Sequence, residues 1–169
     1  ISGFVGGFLA EHLLQCGDEV LGTSPDGRLL PESSELLQQE SARLVTWDLS
    51  RPGGLETGDR ERIEAFAPEV IYHLAALLST RAEFTPESAH RVNVEGTLNL
   101  LGLAAEQSSW LGQSVKFLFP SSVAVYGLPD VETKERMGPV KEWDWNLPTT
   151  MYGCNKLYCE QLGRYYARH

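Results

Sequence analysis

The sequence predicts an α/β domain with a doubly wound parallel sheet. Short, almost wholly apolar segments alternate along the chain with longer segments whose apolar residues recur at helical spacing. Strands that are apolar on both sides belong to parallel sheets covered by helices on both faces. Because the connections between such strands are right-handed, ligands bind beyond the carboxyl ends of the strands. Functional residues are therefore expected at strand ends and at the starts of the following helices.

The predicted elements alternate in order and show no internal repeat. Helices are predicted at residues 4–14, about 59–66, 86–109 (with Pro86 near the start) and 151–169. Strands, which are short and bounded by turn residues, are predicted at residues 19–23, 43–48, 70–74 and 115–119. Residues 24–40 are expected to form a loop with one weak helix. Residues 127–150 are expected to be irregular, and the part with Trp143 and Trp145 either covers the site or packs as a surface loop.

Composition argues against several classes of protein. The 169 residues suffice for one domain, and 42% hydrophobic with 22% charged residues allow a packed core rather than disorder. A formal charge of −9 argues against a nucleic-acid surface, and no apolar stretch approaches the roughly 20 residues of a membrane span. The three cysteines, Cys16, Cys154 and Cys159, lack the spacing of metal ligands, and so small and odd a number is typical of a protein from the reducing cytosol. Each is interpreted as a small apolar residue. We expect a cytoplasmic protein without a metal site.

The glycines at the start of the chain favour a phosphate-binding turn. Gly3 and Gly6 stand three residues apart at the start of the first predicted helix, like the second half of a Gly-x-x-Gly-x-x-Gly pattern. Glycine lets the backbone approach a pyrophosphate, and the helix start offers unpaired N–H groups with partial positive charge. An ordinary turn explains two glycines at this spacing equally well.

Two other strand ends carry candidate residues. Asp48, followed by Leu49, could accept a hydrogen bond from the amino group of an adenine, although an Asp that starts a turn or caps a helix is the better interpretation of this residue alone. The next strand ends with His73 and then small residues, as close passage beside a cofactor requires. His73 itself is interpreted as a core histidine rather than a catalyst.

The strongest chemical signal combines a serine, a tyrosine and a lysine. Ser122 follows the last predicted strand, Tyr152 comes thirty residues later, and Lys156 stands one helical turn beyond Tyr152. A tyrosine has a pKa near 10 in water, and a neighbouring cation lowers that pKa because it stabilises the phenolate. The phenol can then exchange a proton with a substrate hydroxyl while hydride moves to or from a nicotinamide. Ser122 would hydrogen-bond the same substrate oxygen.

With these motifs the sequence resembles the extended short-chain dehydrogenase/reductases, the NAD-dependent epimerase/dehydratases, over nearly its whole length. The similar stretches come in the family's order: residues 3–6, 48–49, 73–76, 93–97, 121–127 and 152–156. The resemblance implies a single NAD(P)-binding domain over residues 1–169 with a Rossmann-like fold. It implies that Ser122, Tyr152 and Lys156 are catalytic.

The same resemblance implies the cofactor contacts. Gly3, Phe4, Val5 and Gly6 would line the pyrophosphate, Asp48 and Leu49 the adenine, and Leu74, Ala75 and Ala76 the bridging ribose-phosphate region. Asn93 would lie beside the active site, Tyr152 would lie against the cofactor, and Lys156 would also bind the nicotinamide ribose. Tyr126 is interpreted as structural or substrate-facing, and not as the base.

Substrate class stays open between two branches. Many members oxidise, epimerise, dehydrate or reduce nucleotide sugars, which is the leading hypothesis here. Residues 76–79, with Glu83 after them, instead resemble members that act on small hydroxy or amino acids, such as the short-chain L-threonine 3-dehydrogenases. Ser79 would then contact substrate, as Ser122 and Tyr152 would, unless it caps a loop. A non-catalytic dinucleotide sensor is a third hypothesis, although this chain keeps Ser122, Tyr152 and Lys156.

The sequence also departs from the family pattern. Residues 21–24 lack an acid that would hydrogen-bond the adenosine ribose of NAD, so NADP is allowed as well. Arg28 either binds the 2′-phosphate of NADP or is simply solvated. The resemblance implies a first strand before Ile1 and a C-terminal substrate-binding region after His169. Residues 1–169 are therefore expected to be a fragment that is truncated at both ends. Alone, such a fragment is expected neither to fold stably nor to turn over substrate. It also implies a homodimer formed through helices 86–109 and 151–169.

Overall fold

The computed structural model describes residues 3–30, 34–39, 43–51 and 55–168. In these ranges the α-helices are α1 Phe4–Gln15, α2 Glu35–Gln39, α3 Thr57–Phe66, α4 Ser79–Phe84, α5 Pro86–His90, α6 Gly96–Leu111, α7 Val131–Arg136 and α8 Met151–Tyr166. The strands are β1 Gly22–Ser24, β2 Leu44–Thr46, β3 Val70–Tyr72 and β4 Lys116–Leu118. A π-helical turn, Arg91–Glu95, joins α5 to α6, and a 3₁₀ turn, Val123–Val125, follows β4.

The strands form two parallel pairs. β1 pairs with β2, where Thr23 lies opposite Val45, and β3 pairs with β4, where Ile71 lies opposite Phe117. Within the part of the chain that the structure describes, no ladder joins the two pairs. Helices connect the strands of each pair, as expected for parallel neighbours. The predicted alternation of strands and helices is therefore observed, with strands shorter than predicted.

The main core lies between β2, α3 and α6. Its buried side chains are Val45, Trp47, Leu49, Ile63, Leu100 and Leu103, with Ile71 and Phe117 packed against them. The start of α6 lies close to this core, because a Cβ on Gly96 would stand 3.0 Å from Cβ of Leu49. The first helical turn of α6 is thereby fixed beside the loop that follows β2.

In the described residues the two faces of β3 and β4 are unequally covered. Ile71 and Phe117 face the core, whereas Val70, Tyr72 and Leu118 on the opposite face are 37%, 39% and 42% exposed. Apolar residues on both sides of a strand predict two covered faces. In the described residues the face opposite the main core is therefore the less covered of the two.

Three helical features differ from the sequence prediction. The helix predicted at 86–109 is interrupted by the π-helical turn, and α4 and α7 form where no helix was predicted. α7 begins because Asp130 accepts a hydrogen bond from the Thr133 amide at 2.7 Å, inside the segment predicted to be irregular. α2 is the weak helix predicted between residues 24 and 40. The predicted boundaries at residues 40 and 169 lie outside the described residues.

The segment between Gly127 and Leu147 closes at its base. The Gly127 amide donates to the Trp145 carbonyl at 2.9 Å, and a Cβ on Gly127 would stand 1.8 Å from the Leu147 oxygen. Trp143, by contrast, is 76% exposed. The segment is therefore fixed at its two ends, and Trp143 does not pack over the candidate residues.

The start of α8 packs directly on the 3₁₀ turn. A Cβ on Gly153 would stand 2.1 Å from the Ala124 carbonyl oxygen and 2.9 Å from Cβ of Pro148. Only a glycine allows this approach, since backbone atoms cannot move aside without shifting the turn. Gly163, nearly three turns further along α8, has no atom within 4 Å of an added Cβ.

Gly153→Ala is expected to lower the free energy of unfolding by at least about 2 kcal/mol because of this overlap. Gly163→Ala is the matched control on the same helix and should raise the free energy by roughly 0.5–1 kcal/mol through helix propensity. Chemical denaturation of the full-length protein, as wild type and as each of the two variants, measures both effects. Equal stability of the two variants would contradict the close approach at Gly153.

His73 is a buried, neutral histidine at the end of β3. Its ring lies 6.0 Å from the Phe117 ring and 5.8 Å from the Phe119 ring, and Nε2 lies 2.9 Å from Oγ1 of Thr97. The Thr97 hydroxyl donates its own proton to the Asn93 carbonyl, so the imidazole N–H is the donor to Thr97. Burial, followed by the charge of Lys156, lowers the pKa of His73 from 6.5 to about 4. The interpretation as a core histidine agrees with this geometry.

This lowered pKa makes stability depend on pH. Below pH 6.5 the unfolded chain binds a proton at His73 that the folded chain does not bind until about pH 4, so stability falls as pH falls through that window. Between these limits the wild type should lose about 3 kcal/mol more than His73→Gln, measured by urea denaturation of the full-length protein. His90→Gln, at an exposed position of α5, should keep the wild-type slope. Parallel slopes for wild type and His73→Gln would contradict the assignment.

Candidate active site

Tyr152 lies in the first turn of α8, in a pocket of small side chains. Thr150 caps the helix, since its Oγ1 accepts from the Gly153 amide at 3.0 Å. The tyrosine is buried in a cluster with Ala82 and Ala89, and Ala76 packs against the same cluster. Burial raises the pKa of Tyr152. The loop after β3 and helices α4 and α5 therefore surround the phenol ring.

Lys156 follows one turn later and points toward the same region. Its Nζ donates to the Pro120 carbonyl at 2.7 Å and stands 4.2 Å from the centre of the Phe119 ring. The distance from Nζ to the centre of the Tyr152 ring is 5.7 Å. The shared helix face predicted from the spacing is present, and burial lowers the pKa of Lys156.

The expected lowering of the tyrosine pKa is not found in this arrangement. The spacing predicts that the ammonium of Lys156 makes Tyr152 more acidic, whereas burial raises the pKa of Tyr152 and no cation opposes that effect. The physical reason is the direction of the lysine side chain. Its ammonium is hydrogen-bonded to the Pro120 carbonyl and lies 4.2 Å from the centre of the Phe119 ring, against 5.7 Å from the centre of the Tyr152 ring.

Ser122 begins the 3₁₀ turn that packs against α8. Its Oγ accepts from the Ala124 amide at 3.2 Å, and Ala124 packs against the cluster that contains Tyr152. Ser122, Tyr152 and Lys156 therefore belong to segments in contact with one another. A groove of about 1440 Å³ beside α6, β4 and α8 is lined by Ser122 but not by Tyr152 or Lys156, so it is not the space in which the three side chains would meet.

Asn93, in the π-helical turn, connects the two sides of this region. Its Oδ1 accepts from the Leu77 amide at 2.8 Å, and its Nδ2 donates to the Leu77 carbonyl at 3.0 Å and to Oδ1 of Asn155 at 3.3 Å. Its carbonyl accepts from the hydroxyl of Thr97 and from Sγ of Cys159 at 3.1 Å. Asn93 therefore holds the loop after β3 beside α8.

Sequence reasoning placed Asn93 beside the site and missed three of its partners, Thr97, Asn155 and Cys159. A signal was present for two of them, because Asn155 and Cys159 share the spacing of Tyr152 and Lys156 along one helix face. Cys159 is buried as a small apolar residue, whereas Cys16 and Cys154 are exposed.

The start of α1 keeps its amides uncapped. Gly3 is the N-cap with extended φ and ψ of −89° and 164°, and no side chain accepts from the first-turn N–H groups. The Gly7 amide makes the first helical bond, to the Gly3 carbonyl at 2.8 Å. Phe4 and Val5 are exposed and Gly6 is buried. These free donors and the absence of a side chain at Gly3 fit a pyrophosphate group.

The residues expected at the other strand ends have different surroundings. Ala75 is exposed after β3, and Ser79 is exposed as the first residue of α4, where no side chain caps the helix. Leu74 and Ala76 are half-buried. The loop at Ala75 is thus lined by small side chains, as passage beside a cofactor requires, and Ser79 does not act as a helix cap.

Asp48 and Leu49 are engaged within the protein. The Asp48 carboxylate accepts from the Ser50 hydroxyl at 2.6 Å and forms an ion pair with Arg51 at 3.0 Å. The hydrogen bond from Ser50 is the main cause that lowers the pKa of Asp48. The Leu49 side chain belongs to the main core. This is the turn-starting role that is the better interpretation of Asp48 taken alone, and an adenine contact there stays a prediction.

None of the described helices combines the length and the apolar character that crossing a bilayer demands.

Comparisons with known proteins agree with the fold. A D-erythronate dehydrogenase from Cupriavidus necator is 35% identical over 173 residues, which cover 99% of this chain and 48% of that enzyme. The nucleoside-diphosphate-sugar epimerase of Agrobacterium tumefaciens has a TM-score of 0.69 at 28% identity, over 99% of this chain and 46% of that one. The UDP-glucose 4-epimerase of Thermus thermophilus, solved with NAD, has a TM-score of 0.72 at 25% identity, over 99% of this chain and 49% of that one.

The structural matches confirm the predicted Rossmann-like α/β fold. The chain spans about half the length of these relatives. The family model described as GDP-mannose 4,6 dehydratase matches residues 1–169. The chain therefore belongs to that family, among the extended short-chain dehydrogenase/reductases of the NAD-dependent epimerase/dehydratase type that its motifs resemble.

Proposed function

We propose that the protein containing this chain is an NAD(P)-dependent oxidoreductase, epimerase or dehydratase that acts on a nucleotide sugar by hydride transfer. One observation carries the proposal: the segments of Ser122, Tyr152 and Lys156 meet beyond the carboxyl end of β4. Solved relatives that act on nucleotide sugars share the fold. In such folds the crevice beyond the strand ends is the place for a ligand.

The proposed cofactor is NAD or NADP, bound at the start of α1. The uncapped amides after Gly3 would hold the pyrophosphate, and the small residues Ala75 and Ala76 would allow the cofactor to pass. β1 ends at Ser24, a neutral residue, and the nearby Asp26 carboxylate accepts from the Ser24 hydroxyl and the Arg28 amide, so we keep NADP beside NAD as a candidate. When bound, the nicotinamide supplies hydride acceptance and return.

Tyr152 is the proposed acid/base, and its neighbours set its acidity. Burial favours the neutral phenol, so proton transfer near neutral pH requires a compensating positive charge. Lys156 is the cation that the structure places against the ring. In the proposed mechanism its ammonium turns from the Pro120 carbonyl toward the phenol and a ribose hydroxyl. Ser122 hydrogen-bonds the substrate oxygen that exchanges a proton with Tyr152.

A dehydrogenase of a small hydroxy or amino acid is the second candidate. The 35% identity to a D-erythronate dehydrogenase, an enzyme named for a small hydroxy acid, favours it. Ser79 is exposed at the start of α4, close in sequence to the loop that Asn93 holds, and would contact such a substrate. A substrate assay of the full-length protein with both classes of compound separates the two candidates.

The proposed assembly is a homodimer in the cytoplasm. Tyr158 and Tyr165, seven residues apart on one face of α8, are 54% and 58% exposed, and Leu98 of α6 is also exposed. Exposed apolar and aromatic residues in line on a helix are typical of an interface. The cysteines are free, which suits a reducing compartment.

Tyr152→Phe in the full-length protein is expected to lower kcat by at least about 100-fold, because general acid–base catalysis contributes that much. The Kd for NAD(P)H, measured by fluorescence, should stay within about threefold, since an apolar ring still fills the alanine pocket. Tyr166→Phe on the same helix is the control and should keep wild-type kcat. A Tyr152→Phe enzyme with normal kcat would overturn the assignment of the base.

Tyr158→Glu combined with Tyr165→Glu is expected to convert the full-length protein from dimer to monomer. Two carboxylates facing two carboxylates across a dimer axis would repel one another without a counter-charge. Sedimentation velocity measures the change, and Val131→Glu, at an exposed apolar position of α7, should leave the dimer intact. A wild type that sediments as a monomer would contradict the proposed assembly.

A further inference from the structure

The first amide of the helix that carries Tyr152 is bonded to a carboxylate from another helix. Oε1 of Glu83, in α4, accepts from the Met151 amide at 2.6 Å, across 68 positions of sequence. Thr150 accepts from the Gly153 amide of the same turn. The first-turn amides of a helix have no partner within the helix, and a carboxylate there is favoured by charge as well. Two different elements therefore cap the start of α8.

The bond from Glu83 stands next to the packing of the tyrosine. Ala82, the residue before Glu83, is fully buried in the cluster that contains Tyr152, the residue after Met151. Two consecutive residues of α4 thus contact two consecutive residues of α8. Glu83 accepts a hydrogen bond from Met151, and Ala82 packs in the cluster with Tyr152. The position of the phenol relative to α4 depends on both contacts.

Apart from the packing of Ala82, the described residues give α4 few polar contacts with other elements. It is six residues long, no side chain caps its start, and Phe84 at its end is 82% exposed. The Leu77 backbone just before it is held by Asn93. The bond between Glu83 and Met151 is therefore a principal polar tie from α4 to the helix of the proposed base.

We propose that Glu83 is a positioning residue: by accepting from the Met151 amide it holds Tyr152 against the loop after β3, where substrate and cofactor would meet. This inference rests on the proposed function of Tyr152. Glu83 acts through the backbone and needs an acceptor oxygen at Oε1, which a glutamine also supplies. Charge-assisted bonds of this kind are short, as this one is.

The test compares Glu83→Ala, Glu83→Gln and Glu87→Ala in the full-length protein. Glu87 is an exposed acid on α5 that pairs with Arg91 and serves as the control. Glu83→Ala should lower kcat by about 10- to 100-fold, because small displacements of a reacting group have effects of that size. Its KM and its Kd for NAD(P)H should stay within about threefold, and Glu83→Gln should restore kcat to within about threefold of wild type.

Hydrogen exchange supplies a readout that does not depend on turnover. The amides of the first turn of α8 should exchange faster in Glu83→Ala and at the wild-type rate in Glu83→Gln. A normal kcat in Glu83→Ala would overturn the positioning role. A raised KM in both Glu83 variants would also overturn it, because that result would mean that the charge of the Glu83 carboxylate contacts the substrate. A wild-type protein that is inactive on both substrate classes would overturn the proposed function instead. In that case the hydrogen exchange still tests the capping bond, which an unchanged exchange rate in Glu83→Ala would refute.

Discussion

The arrangement of the site depends on the side chain of Asn93. This one amide bonds to both backbone groups of Leu77 and to the side chain of Asn155, so it joins the loop after β3 to the helix of Tyr152 and Lys156. Because Asn93 is almost fully buried, each of these bonds is made where water cannot replace it. A cross-link of this kind resists the separation of two elements that share few other polar contacts.

The π-helical turn explains how Asn93 reaches both partners. Its carbonyl accepts from Thr97 and Cys159, and Thr97 in turn accepts from His73. One extra residue in a helical turn re-aims a side chain, which is why such turns are frequent at functional sites. The buried His73 at the end of β3 thus has a structural role. It donates to the Thr97 hydroxyl, which in turn donates to the Asn93 carbonyl in the π-helical turn.

Sequence periodicity predicted the elements that form because apolar side chains are buried. It missed the elements that are stabilised by individual hydrogen bonds. The strands near residues 70–74 and 115–119, and the long helical segment from Pro86, follow from apolar spacing. The π-helical turn, α4 and α7 depend on bonds such as Asn93 to Asn155, Glu83 to Met151 and Asp130 to Thr133. The first two of these join residues more than sixty positions apart, and no local pattern encodes such a pairing.

The same distinction decides what spacing says about the candidate base. Residues 152 and 156 share a helix face because of helix geometry, but the direction of the ammonium is set by Pro120 and Phe119, which come from the loop after β4. Burial raises the pKa of Tyr152 and lowers that of Lys156, so desolvation favours the neutral form of each group. Only a direct approach of the two charged forms offsets that cost. In the present arrangement burial sets the direction of the Tyr152 pKa shift, and the Pro120 carbonyl holds the ammonium that the proposed mechanism would bring to the phenol.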